Sequence, residues 1–136
     1  MRSISHTNHK KSQTGLELLM FFSIAMLIFS AVYTSIFEKT KNVYDSKSRS
    51  EALEISEKIA SEINTAVSEG SGYSKNITLS NNIFGEEYTV LIERDAVFVK
   101  WREKNAVSRT ITENVTGTFV AGNNKIMNKG GVIFVN

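Results

Sequence analysis

The chain has 136 residues, room for one globular domain plus an anchor, and a formal net charge of +2. Of its 16 lysines and arginines, Arg2, Lys10 and Lys11 lie in the first twelve residues without an acid, leaving 13 basic against 14 acidic side chains, and no separate basic patch that would suggest nucleic acid. There is no cysteine, which excludes disulfides, zinc–thiolate sites and cysteine nucleophiles, and no proline to interrupt a long helix.

Residues 1–12 read as a short basic leader. From Leu18 to Phe37 run twenty residues without a charge, LLMFFSIAMLIFSAVYTSIF. At ~1.5 Å rise per residue they make about 30 Å of helix, the thickness of a bilayer's hydrocarbon core. An ordinary secretory signal has a shorter apolar region followed by a small-x-small site, and this run is too long for that. Lys10 and Lys11 before it favour an N-terminus on the cytoplasmic side, with Lys39, Lys41, Lys47 and Arg49 after it pulling the other way. Residues 13–37 are therefore expected to be a transmembrane helix.

Residues 38–69 continue as an amphipathic helix. Ala52, Ile55, Ile59, Ile63 and Ala66 recur at three- and four-residue steps, with Leu53, Ala60 and Val67 widening the stripe. Glu54 and Lys58 form an i,i+4 pair on the solvated side, and Glu51, Glu54, Glu57 and Glu62 read as a solvated face. Gly70-Ser71-Gly72 stops the helix. A single rod from Gln13 to Ser68 would be about 84 Å long, and the polar stretch 41–50 predicts a bend or a melted patch.

From residue 70 to 136 the period changes to two. Tyr88, Val90 and Ile92, then Val97, Val99 and Trp101, then Val107, Arg109 and Ile111, then 118–120, Ile126 and 132–135 mark short strands. Turn signals stand at Arg94-Asp95, Lys104-Asn105, 122–124 and 128–131. The expected class is α+β: a long N-terminal helix, half transmembrane and half amphipathic, its amphipathic half packed against a C-terminal antiparallel meander. Tyr73, Tyr88, Phe98, Phe119 and Phe134 read as sheet core or contact residues, and Trp101 as packing at a strand end. Glu86 and Glu87 are adjacent and, in a strand, would point to opposite faces, a poor acid/base pair. His6 and His9 could ligate metal only while a leader is attached. No nucleophile–base pair, phosphate loop or cofactor motif is legible, so the chain is not expected to be an enzyme or to carry a cofactor or metal.

Residues 10–22, KKSQTGLELLMFF, are the most informative. Glu17 is a lone carboxylate at the start of an apolar run, and an acid at the centre of a membrane helix costs roughly 2.5–3.5 kcal/mol. One reading is an interfacial side chain reaching the headgroups. The other follows from a cut between Ser12 and Gln13, which creates an ammonium at Gln13 and makes Glu17 the fifth residue of the shortened chain. The carboxylate can then pair with that ammonium in its own or a neighbouring subunit, offsetting desolvation and fixing register.

The segment resembles the N-terminus of type IV pilins, most closely archaeal pilins with class III signal peptides. That family shows Lys-Gly, then Gln-x-Ser-x-Glu, then an apolar stretch. Here Lys11, Gln13 and Glu17 match in spacing, with Ser12 in place of the glycine and Gly15 in place of the serine. Residues 59–99 resemble more loosely the helix end, glycine turn and first strands of those pilins, with Ser80 where the family often has proline. The resemblance implies a pilin-like fold, cleavage at Lys11-Ser12-Gln13 by a membrane aspartyl prepilin peptidase, and assembly through Glu17. It further implies identical or related pilin subunits and pilus machinery as partners, and a cell-surface filament, possible adhesion included. Asn76-Ile77-Thr78 and Asn114-Val115-Thr116 are N-x-[ST] sequons in the expected external domain, near strand boundaries; similar archaeal pilins are often glycosylated, so a glycan on each of Asn76 and Asn114 is expected. The competing function is a single-pass, membrane-anchored external binding module that never polymerises.

Overall fold

The computed structural model describes residues 6–136, with side chains from residue 13 onward. The order is α1 (His6–Glu69), β1 (Ser74–Leu79), β2 (Tyr88–Glu93), β3 (Ala96–Trp101), β4 (Lys104–Arg109), β5 (Val115–Gly117), β6 (Gly122–Lys129) and β7 (Val132–Val135). The class is α+β, as expected. Two compact units divide between Val43 and Tyr44. The first holds the apolar part of α1, and the second, Tyr44–Asn136, holds the remainder of the helix and all seven strands.

α1 is unbroken through residues 41–50, so the expected melted patch is not there. From residue 44 onward that stretch is tied to the strands. The Tyr44 hydroxyl donates to the Phe84 carbonyl at 3.2 Å, the Lys104 ammonium meets the Asp45 carboxylate at 2.8 Å, and Ser48 is buried. Tertiary contacts supply what a polar sequence lacks in helix signal.

The expected stripe Ala52, Ile55, Ile59, Ile63 and Ala66 is buried throughout. Of the residues expected to widen it, Ala60 is buried and Val67 packs against the core. Leu53 is 39% exposed, while Ser48, Ala52, Ser56 and Ala60 form a buried row of small side chains at four-residue spacing. Small side chains let backbones approach closely, and Ser56 uses the proximity: its hydroxyl lies 2.8 Å from that of Ser108 on β4 and 2.8 Å from the Leu53 carbonyl. The glutamate face is also not uniformly solvated. Glu62 takes an ion pair from Lys75 at 2.6 Å, and Glu51 accepts the Phe84 N–H at 3.2 Å.

The strands form two sheets instead of one meander. β2-β3-β4 is a three-stranded antiparallel meander. β1, β6, β7 and β5 form a four-stranded sheet in that order, with β5 parallel to β7. Only three residues long, β5 is fixed by close approach. Gly117 has φ +104, and a Cβ there would stand 2.1 Å from the Val135 carbonyl oxygen, so no larger residue fits without moving backbone.

The β2–β3 turn is at Arg94-Asp95, as read from sequence. The β3–β4 turn is at Arg102-Glu103, not at Lys104-Asn105. Register explains the shift. Val97, Val99 and Trp101 face Ser108, Ala106 and Lys104 respectively. This phase turns Ala106 inward and leaves Val107 43% exposed; a one-residue slip would reverse both. Residues 122–124 begin β6 instead of forming a turn. Asn124 can lie buried there because its amide accepts the Val120 N–H and donates to the Val120 and Gly122 carbonyls.

Gly70 ends α1 at φ +80, a conformation suited to glycine. The last turn then faces a shortage of donors, since it contains no basic residue. Asn128, 3% exposed on β6, meets part of that need. Its amide donates to the Ala66 carbonyl at 2.7 Å and accepts the Gly131 N–H at 3.0 Å. Replacing Asn128 with alanine strands both groups, at about 1–3 kcal/mol for a buried unsatisfied polar group. Urea unfolding of the detergent-solubilised chain, followed by emission of the buried Trp101, is expected to show Asn128→Ala destabilised by about 2 kcal/mol; an unchanged midpoint would mean that the amide is dispensable.

Candidate functional site

Every residue from 13 to 43 is exposed. The exposed set includes Leu16, Leu18, Leu19, Met20, Phe21 at 72%, Phe22, Ile24 and nine further large apolar side chains through to Phe37 and Val43, around all sides of the helix. Helix α1 is long and apolar enough to cross a membrane. Three of its hydroxyls find acceptors within the helix itself. The hydroxyls of Ser23, Thr34 and Thr40 donate to the carbonyls of Leu19, Ser30 and Ile36, four residues back, at 2.8–2.9 Å. Each donor is thus satisfied within the helix, as a lipid environment requires.

Gln13 and Glu17 are both exposed and stand four residues apart in α1, hence on one face. The Ser12–Gln13 bond lies within α1, while the side chains of Lys11 and Ser12, like those of His6 and His9, lie outside the described residues. Residues 1–5 of the leader also lie outside them.

The two sequons are brought to opposite edges of one sheet. Asn76 is the third residue of edge strand β1, inside the strand and not at its boundary; it and Thr78 point outward while Ile77 and Leu79 are buried. Asn114 is exposed immediately before the other edge strand, β5, and its carbonyl accepts the Ile133 N–H at 2.9 Å.

Trp101 is core, 3% exposed, and Phe119 is buried with it; Tyr73 and Tyr88 pack partly against the same core. Glu86 and Glu87 lie outside the strands, at a tight turn closed by reciprocal Ile83–Glu86 backbone hydrogen bonds. Among the described residues no three His, Asp or Glu side chains group to hold a metal.

One cluster escapes sequence reasoning, because its contacts join residues 16, 33 and 40 positions apart. The turn Ile83–Glu86 carries Phe84 at φ +52, a left-handed conformation that costs a bulky residue about 1–3 kcal/mol. Two helix side chains hold it there, Glu51 on its N–H and Tyr44 on its carbonyl. The Phe84 and Tyr44 rings meet edge to face at 5.4 Å, and the Arg102 guanidinium lies over Tyr44 at 5.8 Å while pairing with Glu86. The sequence signal that could have exposed this turn is the Phe84-Gly85 pair next to Asn82, whose side chain accepts the Gly85 N–H at 3.0 Å.

The hydrogen bond from Arg102, opposed by desolvation and aided by its charge, holds the Glu86 carboxyl below the ordinary glutamate range. A depressed carboxyl stabilises the fold at pH above the unfolded value and loses that contribution as pH falls through the folded one. Side-chain carboxyl NMR is expected to show Glu86 returning to an ordinary glutamate titration in Arg102→Gln; an unmoved titration would remove Arg102 as the cause. Compared with known protein families, curated proteins and solved structures, the chain matches none of them.

Proposed function

We propose that the chain is a structural subunit, major or minor, of an archaeal type IV pilus-like filament. One observation supports this reading: an apolar helical surface, exposed on every side from residue 18 to 37, continues without a break into the helix that bears a folded domain. Such a surface needs a lipid or protein cover, and a pilin-like subunit uses both in turn. A prepilin peptidase cuts between Ser12 and Gln13 while the helix is a single-pass anchor with its N-terminus inside. The assembly machinery then packs the same helix against those of related subunits, where burial between helices supplies cohesion. Glu17, one turn from the new Gln13 ammonium, provides the charge pair that sets register. The strand domain becomes the filament surface, exposed at the cell exterior and available for adhesion. Glycans on Asn76 and Asn114 would stand at the two open edges of the four-stranded sheet and block edge-to-edge pairing there.

N-terminal sequencing of membrane and sheared-fibre fractions is expected to give QTGLE in both. An intact Met1 start in a detergent-soluble monomer would instead identify a single-pass anchor with an external binding module. Removing one partner of a buried charge pair costs about 3–5 kcal/mol, so Glu17→Ala is expected to be processed normally and to lower fibre yield by more than about tenfold. Normal fibre yield would sink the assembly role. Peptide mass spectrometry of the purified protein is expected to find a glycan on each sequon, and unmodified Asn76 and Asn114 would reject the modification.

A further inference from the structure

The four strands of the larger sheet, β1, β5, β6 and β7, contain no aspartate or glutamate, although the chain has 14 of them. Alternation along these strands turns Ile77, Leu79, Ile126 and Ile133 inward. The opposite face carries Asn76, Thr78, Asn123, Lys125 and Asn136, all exposed. Register brings them together. Asn76 faces Lys125 and Thr78 faces Asn123 across β1 and β6, and from the other side the Asn136 N–H donates to the Lys125 carbonyl at 2.9 Å.

Asn76 thus stands in the wall of a hollow of about 470 Å³ that it shares with Asn123, Asn124, Lys125 and Asn136. Two of these walls are held in place. The buried Asn124 amide is engaged by Val120 and Gly122, and the Asn136 amide donates to the Thr118 carbonyl at 2.8 Å and to Asn124 Oδ1 at 3.2 Å. Two other groups keep bonding capacity. Asn123 accepts the Thr78 hydroxyl at 2.7 Å through Oδ1, which leaves its NH2 to donate. Among the described residues no ion pair engages the Lys125 ammonium, and its own sheet offers no carboxylate. Fixed amide walls with free donors, in an open and polar hollow, suit a ligand rich in hydroxyl and carbonyl acceptors, which is the chemistry of a sugar.

The place of Asn76 selects which sugar. A free saccharide would leave so open a hollow readily. One bonded to the Asn76 amide is held beside it at roughly millimolar effective concentration, so weak contacts suffice. We propose that the hollow is the seat of the glycan on Asn76, whose first sugars lie against Asn136 and accept hydrogen bonds from the Asn123 NH2 and the Lys125 ammonium. This rests on Asn76 being glycosylated, and goes beyond that reading in giving the glycan a fixed place on the sheet.

The full chain, Asn76→Gln and Asn114→Gln are each purified from the cells that make the protein. Peptide mass spectrometry reads the occupancy of both sequons and the rate at which a water-soluble succinimidyl ester acetylates each lysine. Unchanged Trp101 emission checks that the folds are alike. With a contact of millimolar affinity at that effective concentration, half or more of the molecules are seated, so Lys125 is expected to react about twofold or more slowly in the full chain and in Asn114→Gln than in Asn76→Gln. Lys75, next to Asn76 in sequence but paired with Glu62, is expected to change less. Equal slowing at Lys75 and Lys125 means a glycan that sweeps freely, and overturns the seat. An unchanged rate at Lys125 with Asn76 modified also overturns the seat and leaves glycosylation standing. Asn76 found unmodified in the full chain overturns both.

Discussion

One unbroken helix has to satisfy two different surroundings. From residue 44 to 69 it needs a partner along one stripe, and the chain provides that partner in its own strands. From residue 18 to 37 it carries no charge on any side, and among the described residues none covers that surface. Leaving a large apolar side chain in water forgoes roughly 1.5–3 kcal/mol. Repeated over the exposed leucines, isoleucines, phenylalanines and methionines of this segment, that exceeds the roughly 5–15 kcal/mol by which a typical domain is stable at all. The segment is thus incompatible with a free life in water. The functional reading follows from this imbalance more than from any side-chain constellation.

Within Tyr44–Asn136 the architecture depends on the seating of the helix stripe. The small row Ser48, Ala52, Ser56 and Ala60 keeps the helix close to the strands, and isoleucines 55, 59 and 63 fill the interior beside it. Polar side chains enter this core where backbone groups need them. Asn128 serves the helix end and the β6–β7 hairpin, Asn124 serves the loop that leads into β6, and Ser56 meets Ser108. Each such group is satisfied by geometry that only the folded chain provides, which is why buried polar residues are tolerated there.

This division marks what was legible in the sequence. The isoleucine–alanine stripe, the glycine stop at residue 70, the strands 88–93 and 96–101 and the turn at Arg94-Asp95 follow from periodicity and local chemistry, and the structure has them. Asn124 and Asn128 read as turn residues, because a single sequence does not reveal that their amides will be buried against backbone groups, Ala66 lying 62 residues from Asn128. The β3–β4 turn was misplaced because asparagine at 105 is a stronger local signal than arginine at 102, and the register of Val97, Val99 and Trp101 overrode it. A parallel pairing through three residues, β5 on β7, leaves no pattern to read. Of the features that the proposed function uses, Gln13, Glu17 and both sequons are motif-borne and so visible in advance. The Tyr44–Phe84 brace spans 40 residues and exists only in three dimensions.

The amide of Asn128 also sets an order of events. It closes the end of α1 across a separation of 62 residues, and contacts of such long range form late, after the intervening chain has been brought together. During synthesis the apolar part of the helix is available long before residues 128–131 exist. A stretch long and apolar enough to span a bilayer is thus available while the end of the same helix still lacks its Asn128 partner. The domain is sealed only when the β6–β7 hairpin arrives to take up the Ala66 carbonyl.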